Sequence, residues 1–372
     1  MMIAGEVSGD LHGGGVVREL KRRIPDMDIY GVGGESMKAE GMELLYHIND
    51  LSIMGFTEVV RHLPLLRRVE RSLEQCLVER RPQVVVLIDY PGFNLRFARK
   101  AKRYGVKLLY YISPQIWAWN HRRVHRMKKV IDEMDVVFGF EVDLYKKEGI
   151  NVAFVGHPLA ERLRSVSTKE EFLRTHGLDS GKKLIALLPG SRRQEIESVL
   201  PTMLDAVDAL RRSHQLQAAI GVAPGLGREF ISSFLSDRDE VALVEHSPYG
   251  LMEHADAAVV TSGTATLETG WFGTPMVVVY RTSVLTFLIG KLLVTVPHIG
   301  LVNILCGRRV VPELIQMDLT VENLVAEADK ILLNDLYSQS MRNDLGEVRT
   351  KLGTPGASAR VAENILSLAR AA

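Results

Sequence analysis

The sequence predicts an α/β protein with two Rossmann-like, doubly wound domains that face each other across a cleft, followed by a helical C-terminal tail. Apolar runs without polar alternation, such as residues 83–88 and 183–188, indicate strands covered on both faces, as in parallel sheets. Helical periodicity follows most of these runs. The pattern restarts after a charged, irregular stretch. The predicted divisions are therefore a first domain, a linker, a second domain and C-terminal helices, at 1–160, 161–181, 182–340 and 341–372.

The predicted strands follow one another along the chain, with helices between them. They span residues 1–3, 28–32, 83–88 and 106–111 in the first domain, and 183–188, 216–222, 241–244, 257–261 and 276–280 in the second. Everything beyond Val310 is predicted to be helical. Because doubly wound sheets bind ligands beyond the carboxyl ends of their strands, the turns that follow these strands are the candidate sites.

Composition limits the classes of function. A hydrophobic content of 46% over 372 residues supports two cores, and a net charge of +1 argues against broad nucleic-acid binding. Cys76 and Cys306 lie far apart without a CxxC motif, so neither a disulfide framework nor a zinc site is expected. A reducing cytoplasm without an export signal is the expected setting. The apolar stretch 282–307 contains Lys291, a proline and a histidine, which favours a buried or interfacial segment over a transmembrane helix.

The motif LLPGSRRQEIE, residues 187–197, is predicted to form a strand, a tight turn and a helix. The first turn of that helix would present N–H groups and the positive end of the helix dipole, and Gly190 and Ser191 would let a phosphate approach the backbone. The guanidinium forks of Arg192 and Arg193 suit a diphosphate. The alternative is a plain strand-to-helix turn with solvated arginines.

The motif TSGTATLETG, residues 261–270, repeats this arrangement in the same domain. Ser262, Gly263 and Thr264 could hold a diphosphate, and Glu268 lies one helical turn further on, where it could accept both hydroxyls of a ribose. Two such turns predict a nucleotide site. No acidic cluster follows a strand end, so no metal is expected, and Arg192 with the helix dipoles would supply the positive charge.

The first predicted turn, AGEVSGD, opens a helix and offers Glu6 and Ser8 to a small polar ligand. The alternative is that Ser8 or Asp10 caps that helix. A second glycine-rich turn, GVGGES at 31–36, lacks the third glycine of a dinucleotide fingerprint. We therefore expect no nicotinamide and no other cofactor.

The motif IDYPGFN places Asp89 at the carboxyl end of the most hydrophobic strand of the first domain. A carboxylate there can act as a general base, because burial raises its pKa toward neutrality. The alternative is a cap of the following helix. The next strand is followed by SPQIWAW, whose Trp117 and Trp119 suit a sugar ring or an acyl chain, with ordinary core packing as the alternative.

Two basic stretches are candidates for contact with an acceptor or a membrane. HRRVHRMKK, residues 121–129, contains Arg122 and Arg123 in a predicted helix that could meet a phosphate or anionic headgroups. Residues 53–73 mix arginines with apolar side chains, and Met54 and Phe56 would face a bilayer. A solvated face and a core-facing helix are the respective alternatives.

These motifs together resemble the lipid-A-disaccharide synthase family, in order and over nearly the whole chain. The motifs that carry the resemblance are AGEVSGD, MGFTEV, IDYPGFN, SPQIWAW, VGHP, LPGSRRQEIE, SGTATLE and NILCGRRVVPELIQ. The resemblance implies the GT-B glycosyltransferase fold, with an acceptor-side first domain and a second domain that binds the nucleotide sugar. It also implies a peripheral enzyme of lipid A and lipopolysaccharide biosynthesis at the cytoplasmic face of the Gram-negative inner membrane.

The implied reaction is metal-independent and inverting. UDP-2,3-diacylglucosamine and 2,3-diacylglucosamine 1-phosphate would give the β-1,6-linked disaccharide 1-phosphate and UDP. The implied roles are the essential aspartate for Asp89, the diphosphate arginine for Arg192, the nucleotide-binding glutamate for Glu268 and an active-site asparagine for Asn303. Some members have a second acid where this chain has Gly92, so that position is not expected to be essential here.

The expected partners are these two substrates and an anionic membrane surface, without nucleic acid, and a homodimer is left open. Two other functions also remain open at this stage. A UDP-N-acetylglucosamine 2-epimerase would share the fold and the nucleotide but would need no surface for acyl chains. A non-enzymatic regulator would bind a UDP-sugar without consuming it. The broken glycine fingerprint argues against a dehydrogenase.

Overall fold

The computed structural model describes residues 1–51, 56–118, 121–165, 167–235, 238, 240–246, 248–283, 287, 290–291 and 296–371. The chain divides into two compact units. The first contains Met1–Glu161 and Leu352–Ala372, and the second contains Arg162–Lys351. The expected linker at 161–181 thus lies almost wholly within the second unit, and the expected C-terminal segment is shared by both.

The first unit is built on a parallel sheet of seven strands. Its spatial order is β3-β2-β1-β4-β5-β6-β7. The strands are β1 (Met2–Ala4), β2 (Tyr30–Gly33), β3 (Glu43–His47), β4 (Val84–Ile88), β5 (Lys107–Tyr111), β6 (Glu133–Val136) and β7 (Val152–Phe154).

Strands β3, β6 and β7 were not predicted, because they are short and their sequences mix polar with apolar residues. Strand β6 shows the difficulty most clearly, since its sequence EMDV contains Asp135, which is fully buried. A carboxylate in a four-residue run gives no strand signal in the sequence. The other four strands of this sheet match predicted strands to within two residues at each end.

Helices cover both faces of this sheet, as the doubly wound pattern requires. The helices are α1 (Val7–Arg23), α2 (Glu35–Ala39), α3 (Ile48–Leu51), α4 (Phe56–Glu79), α5 (Pro91–Ala101), α6 (Val124–Met127) and α7 (Phe140–Lys147). Helix α4 packs on the core through Leu66, Val69 and Leu73, while Arg67 and Arg71 are exposed. The described part of α4 is therefore the core-facing helix that the sequence left as an alternative. The helix predicted in the basic stretch 121–129 is shorter, a 3₁₀ turn at His121–Arg123 followed by α6.

The second unit contains a parallel sheet of six strands, in the spatial order β10-β9-β8-β11-β12-β13. The strands are β8 (Lys183–Leu188), β9 (Leu216–Gly221), β10 (Val241–Val244), β11 (Ala257–Thr261), β12 (Met276–Tyr280) and β13 (Glu313–Ile315). The sequence predicted β8 to β12 to within one residue. The prediction that everything beyond Val310 is helical is wrong at β13, which pairs with β12 and forms the edge of the sheet.

The helices of the second unit alternate with these strands. They are α8 (Lys169–Thr175), α9 (Arg193–Arg211), α10 (Arg228–Ser232), α11 (Pro248–His254), α12 (Thr264–Phe272), α13 (Leu301–Cys306), α14 (Val321–Leu333) and α15 (Asp335–Leu352). Helix α8 lies inside the expected linker and begins with a reciprocal capping box between Thr168 and Glu171. Within the described residues, no helix is both long and apolar enough to cross a lipid bilayer.

The last helix, α16 (Ala357–Arg370), returns to the first unit. Its buried face includes Val361 and Ile365, and it contacts α1, β4 and β5. The Asn364 side chain donates a hydrogen bond to the buried Asp135 carboxylate at 2.8 Å. The end of the chain is therefore part of the first unit's core.

Both sheets have the doubly wound strand order, which reverses direction at one pair of central strands. The reversal lies between β1 and β4 in the first unit and between β8 and β11 in the second. Helices leave on opposite faces at such a point, which opens a crevice beyond the carboxyl ends of the two strands. Asp89 follows β4, and the turn at Gly190 follows β8, so both main candidate sites lie at these reversals.

Candidate active site

Asp89 lies just beyond β4 and faces a small cavity. The cavity has a volume of about 180 Å³ and is also lined by Pro91, Arg123 and the segment 112–116 that follows β5. Strands β4 and β5 are neighbours, so their carboxyl ends bring Asp89 and this segment together. Helix α5 begins with Tyr90 as its capping residue and has no side-chain cap among the described residues. The helix-cap alternative for Asp89 is therefore not the arrangement found.

The backbone around this cavity is strained. Asp89, Tyr90 and Ile112 have φ angles of 46°, 47° and 63°, in the left-handed region that side chains other than glycine rarely adopt. Such conformations persist where the surrounding structure fixes them, and they concentrate at functional sites.

Two side chains hold the Asp89 backbone in this conformation. The Asn94 amide donates to the Asp89 carbonyl at 2.8 Å, and the Tyr110 hydroxyl donates to the same oxygen at 2.6 Å. Asn94 is fully buried. Sequence reasoning missed both residues, although a lone asparagine among the apolar residues of PGFNLRF was a usable signal.

The pKa of Asp89 is raised to about 6, chiefly by burial and next by the nearby negative charge of Glu6, while the Tyr90 N–H opposes the shift. A carboxylate with this pKa is ionised near neutral pH yet basic enough to accept a proton from a hydroxyl as it reacts. Glu6 precedes α1 and is exposed, as is Ser8 in its first turn. Glu6 is thus near enough for its charge to raise the pKa of Asp89.

The pH dependence of activity is expected to show the effect of the Glu6 charge on the Asp89 pKa. If Asp89 is the base, kcat/KM rises with pH to a plateau, with a midpoint near 6, because only the ionised carboxylate accepts the proton. Replacing Glu6 by glutamine removes a negative charge beside Asp89, so the Asp89 pKa falls and the midpoint moves to lower pH. The exposed Glu363→Gln serves as the control in the same unit and should leave the midpoint in place. If the midpoint does not move in Glu6→Gln, the group that titrates in the pH profile is not Asp89.

The first turn is organised by Asp10 rather than by a cap on α1. Asp10 is buried and accepts hydrogen bonds from the backbone N–H groups of Gly34, Ser36 and Met37, so it caps α2. The alternative in which Ser8 or Asp10 caps α1 is therefore wrong, and no side chain of the described residues does so. Glycine is required at position 5 because a Cβ atom there would lie 2.2 Å from the Tyr90 ring.

Of the predicted acceptor-side residues, some lie in the described part of the chain and others do not. Trp117 is half-buried, with its ring edge-on to Phe140 at 5.3 Å. Arg123 lines the Asp89 cavity, and Arg122 is exposed. Met54 and Trp119 lie outside the described residues. Phe56 is the first residue of α4, and its side chain also lies outside the description.

In the second unit, the turn after β8 has the predicted strand-to-helix form. Gly190 has a φ of 107°, and Ser191 is exposed. Arg192 is the capping residue of α9, whose first turn carries no side-chain cap from the described part of the chain. The Arg192 guanidinium contacts the Glu195 carboxylate at 2.8 Å. An exposed ion pair of this kind contributes about 0–1 kcal/mol, so a diphosphate could replace it at little cost.

Arg193 does not join Arg192 in this turn. Its guanidinium lies over the Phe230 ring, 4.3 Å from the ring centre. The prediction of two guanidinium forks at the turn is therefore wrong, because the aromatic face on α10 provides a cation–π contact for Arg193.

The second glycine turn lies on the neighbouring strand β11. Ser262 donates from its hydroxyl to the Ile299 carbonyl at 2.8 Å, and Gly263 is the capping residue of α12, which begins at Thr264. Helix α12, like α9, has no side-chain cap within the described residues. Because β8 and β11 are parallel neighbours, the first turns of α9 and α12 present N–H groups at the same edge of the sheet.

Glu268 lies one turn into α12 and is half-buried. The Tyr249 hydroxyl donates to one carboxylate oxygen at 3.3 Å, which leaves the other oxygen able to accept. Burial raises the Glu268 pKa, while Tyr249 and the positive charge of Arg162 act in the opposite direction. Tyr249 is a further residue that the sequence did not indicate.

Asn303 is placed differently from its expected role. It is fully buried in α13, and its amide donates to the Val311 carbonyl and the Glu313 carboxylate and accepts from the N–H groups of Val310 and Val311. All its hydrogen-bonding capacity is used inside the unit. Glu313 in turn accepts from the N–H groups of Ile299 and Gly300. Through Glu313, Asn303 is connected to the segment whose Ile299 carbonyl accepts from Ser262.

A family model described as lipid-A-disaccharide synthetase matches residues 1–365. The lipid-A-disaccharide synthase of Geobacter sulfurreducens is 42% identical over 370 residues, which cover 99% of this chain and 96% of that protein. The chain belongs to the lipid-A-disaccharide synthase family. It is therefore a glycosyltransferase of lipid A biosynthesis, and the predictions of this family and of a lipid-A-disaccharide synthase are confirmed.

Solved structures support the GT-B fold that this family predicts. The UDP-GlcNAc 2-epimerase of Neisseria meningitidis, solved with UDP-GlcNAc, has a TM-score of 0.67 at 14% identity and covers 98% of this chain and 99% of its own. A calicheamicin glycosyltransferase has a TM-score of 0.62 at 15% identity, with coverages of 99% and 96%. At these identities the likeness concerns the fold alone. The epimerase alternative therefore has no support beyond a shared architecture.

Lipid-A-disaccharide synthases use a UDP-sugar and a lipid acceptor. Among the described residues, no group of three or more His, Cys, Asp or Glu side chains is placed to hold a metal ion. Positive charge at the two turns after β8 and β11 comes from Arg192 and from the amino ends of α9 and α12.

Proposed function

We propose that Asp89 is the general base for the transfer of 2,3-diacylglucosamine from UDP to 2,3-diacylglucosamine 1-phosphate, without a metal ion. The observation that carries the proposal is the Asp89 carboxylate itself, held at the carboxyl edge of a doubly wound sheet in a small cavity, with its pKa raised to about 6. A cavity of about 180 Å³ suits part of one sugar ring.

In the proposed step, Asp89 accepts the proton of the acceptor's 6-hydroxyl. The hydroxyl oxygen forms a bond to the anomeric carbon of the donor sugar as the bond from that carbon to the UDP oxygen breaks. Attack from the face opposite UDP inverts the anomeric carbon and gives the β-1,6 linkage. The proton remains on Asp89, and the electron pair leaves with the diphosphate.

The donor's UDP is assigned to the turns of the second unit. Gly190, Ser191 and Arg192, with the uncapped first turns of α9 and α12, would hold the diphosphate and stabilise the charge that develops on it. The Glu268 carboxylate oxygen that Tyr249 does not contact would accept from the ribose hydroxyls. Ser262 would contribute through its position, since its hydroxyl is bonded to Ile299.

The acceptor's phosphate is assigned to the basic residues at the first cavity. Arg123 lines this cavity together with Asp89, and Arg122 is exposed next to it. The acyl chains need apolar cover, since burial stabilises by about 0.8 kcal/mol per methylene. The segment around Met54 and Phe56 and the apolar stretch 282–307 are the proposed candidates for this cover.

Peripheral attachment to the anionic inner face of the inner membrane is part of the same proposal. It is supported by the exposed arginines of α4, Arg67, Arg68 and Arg71, which line one surface groove with Pro64. Basic side chains near apolar residues favour an anionic bilayer surface.

The decisive experiment measures UDP release from UDP-2,3-diacylglucosamine in detergent, with and without 2,3-diacylglucosamine 1-phosphate and with a chelator present. Release that requires the acceptor and survives the chelator is the expected result. Release without the acceptor would indicate hydrolysis or epimerase chemistry, and loss of activity on chelation would overturn the metal-free step. UDP binding without any release would indicate a regulator.

A further inference from the structure

Helix α7 (Phe140–Lys147) supports the segment that lines the Asp89 cavity. Glu141 in its first turn has only 1% of its surface exposed. One of its carboxylate oxygens accepts from the Ser113 hydroxyl at 2.6 Å and from the Trp117 indole N–H at 3.0 Å. The other accepts from the Phe138 N–H at 3.2 Å. One buried carboxylate thus ties the two ends of the segment 113–117 to the helix.

A second contact holds the middle of the same segment. Tyr145 lies one helical turn after Glu141, is fully buried, and donates to the Pro114 carbonyl at 3.1 Å. Ser113, Pro114 and the two residues after them line the cavity with Asp89. The position of this wall is therefore set by two polar side chains on one face of α7.

The segment requires such support because of its starting point. Ile112, just before it, has a φ of 63°, an unfavourable conformation for a β-branched residue. Backbone strain of this kind persists only when neighbouring contacts fix it. The hydrogen bonds from Ser113 and Trp117 to Glu141 are such contacts.

Burying the Glu141 carboxylate also costs free energy. Burial raises the Glu141 pKa to about 7, opposed by hydrogen bonds from Ser113, Trp117 and the backbone N–H groups of Phe138 and Val137. Among the described residues no ion pair with a basic side chain offsets this burial. An apolar side chain would fill the space at lower cost but could not bind the two donors of the segment.

We propose that Glu141 is a positioning residue for the acceptor: it fixes residues 113–117 so that the wall they form holds the acceptor sugar against Asp89. Glu141 touches neither substrate. The inference rests on the proposed role of Asp89, and it predicts an effect on the acceptor that is absent for UDP.

The test is Glu141→Gln, which preserves the volume but turns one acceptor into a donor. The glutamine oxygen can accept from Trp117 or from Phe138 but not from both, so one obligatory N–H donor loses its partner. We expect kcat/KM for the acceptor to fall about tenfold, as for loss of one hydrogen bond to a charged group, while the dissociation constant of UDP is unchanged. The matched control is Asp143→Asn, an exposed acid on the same helix, which should match the wild type.

Two further variants remove the donors one at a time. Ser113→Ala and Trp117→Phe should each reproduce part of the defect, and neither should add its full effect in the Glu141→Gln background, because they act through the same oxygen. An unchanged dissociation constant of UDP in each variant distinguishes positioning from a general loss of stability, and the non-additivity shows that the three side chains act through one contact. If Glu141→Gln does not fold, the two donor variants decide the question by the same acceptor and UDP measurements.

The outcomes separate this inference from the role of Asp89. Wild-type acceptor kinetics in Glu141→Gln, together with an impaired Asp89→Asn, would overturn the positioning role and leave the base in place. An acceptor-specific defect in Glu141→Gln with an impaired Asp89→Asn would support both. Wild-type activity in Asp89→Asn would refute the base and, with it, this inference.

Discussion

Asp89→Asn is expected to lower kcat by about 100- to 10,000-fold, the contribution of a positioned general base. The amide has the shape of the carboxylate and keeps the backbone bonds from Asn94 and Tyr110, but it cannot accept the proton of the 6-hydroxyl. The affinity for UDP should be unchanged, because the diphosphate turns belong to the other unit. Steady-state UDP release and UDP titration measure the two quantities.

Asp26→Asn provides the control for this substitution, since Asp26 is exposed in the same unit. Its kinetics should match the wild type. Full activity in Asp89→Asn would refute the base assignment. A rise in the acceptor KM with unchanged kcat would assign Asp89 to acceptor binding instead.

Arg192→Ala is expected to lower kcat by about 100- to 1,000-fold, the usual effect of removing one preorganised group from a developing negative charge. Arg192 lies at the N-cap position of α9, where the helix dipole and the guanidinium would act on the same diphosphate. Arg192→Lys should fall between the wild type and alanine, because it keeps the charge but loses the bidentate fork. Single-turnover kinetics at saturating donor separate this effect from donor binding.

Arg174→Ala, on the exposed face of α8 in the same unit, is the control and should leave kcat unchanged. If Arg192→Ala raises the donor KM while kcat stays at the wild-type value, the guanidinium binds ground state and transition state equally. The proposed stabilisation of the leaving UDP would then be wrong.

Local sequence patterns were enough to predict most of the sheet and the strand-to-helix turns. Strands β8 to β12 are apolar runs that are covered on both faces, and each is bounded by turn residues, so period and length identify them. The turns at Gly190 and Gly263 were visible because glycine, a small polar residue and helical spacing follow a strand directly. Asp89 could also be predicted, because it is a lone acid at the end of an apolar run.

The motif set also identified the family without the structure. Several short motifs in a fixed order over the whole chain are far more specific than any one of them. The strand predictions failed where a strand lacks a continuous apolar run. Strand β6 contains a buried acid, and β13 is only three residues long at the edge of its sheet. The partners that stabilise such strands are distant in sequence.

What a polar side chain does, by contrast, was decided by tertiary contacts. Arg192 and Arg193 are adjacent and chemically identical, yet one contacts Glu195 at the start of α9 and the other stacks on Phe230. Asn303 matched a family motif as an active-site residue, but its four hydrogen bonds are all internal. Glu141 belonged to no predicted motif and supports the wall of the Asp89 cavity.

The sequence by itself therefore determined the fold class, the family and the turns that carry the chemistry, because these depend on local periodicity and on motif order. The tertiary structure decided which side chains remain available to a ligand and which hold the backbone. The physical reason is that a buried polar group must find its hydrogen-bond partners wherever the fold brings them, at separations that no local pattern encodes.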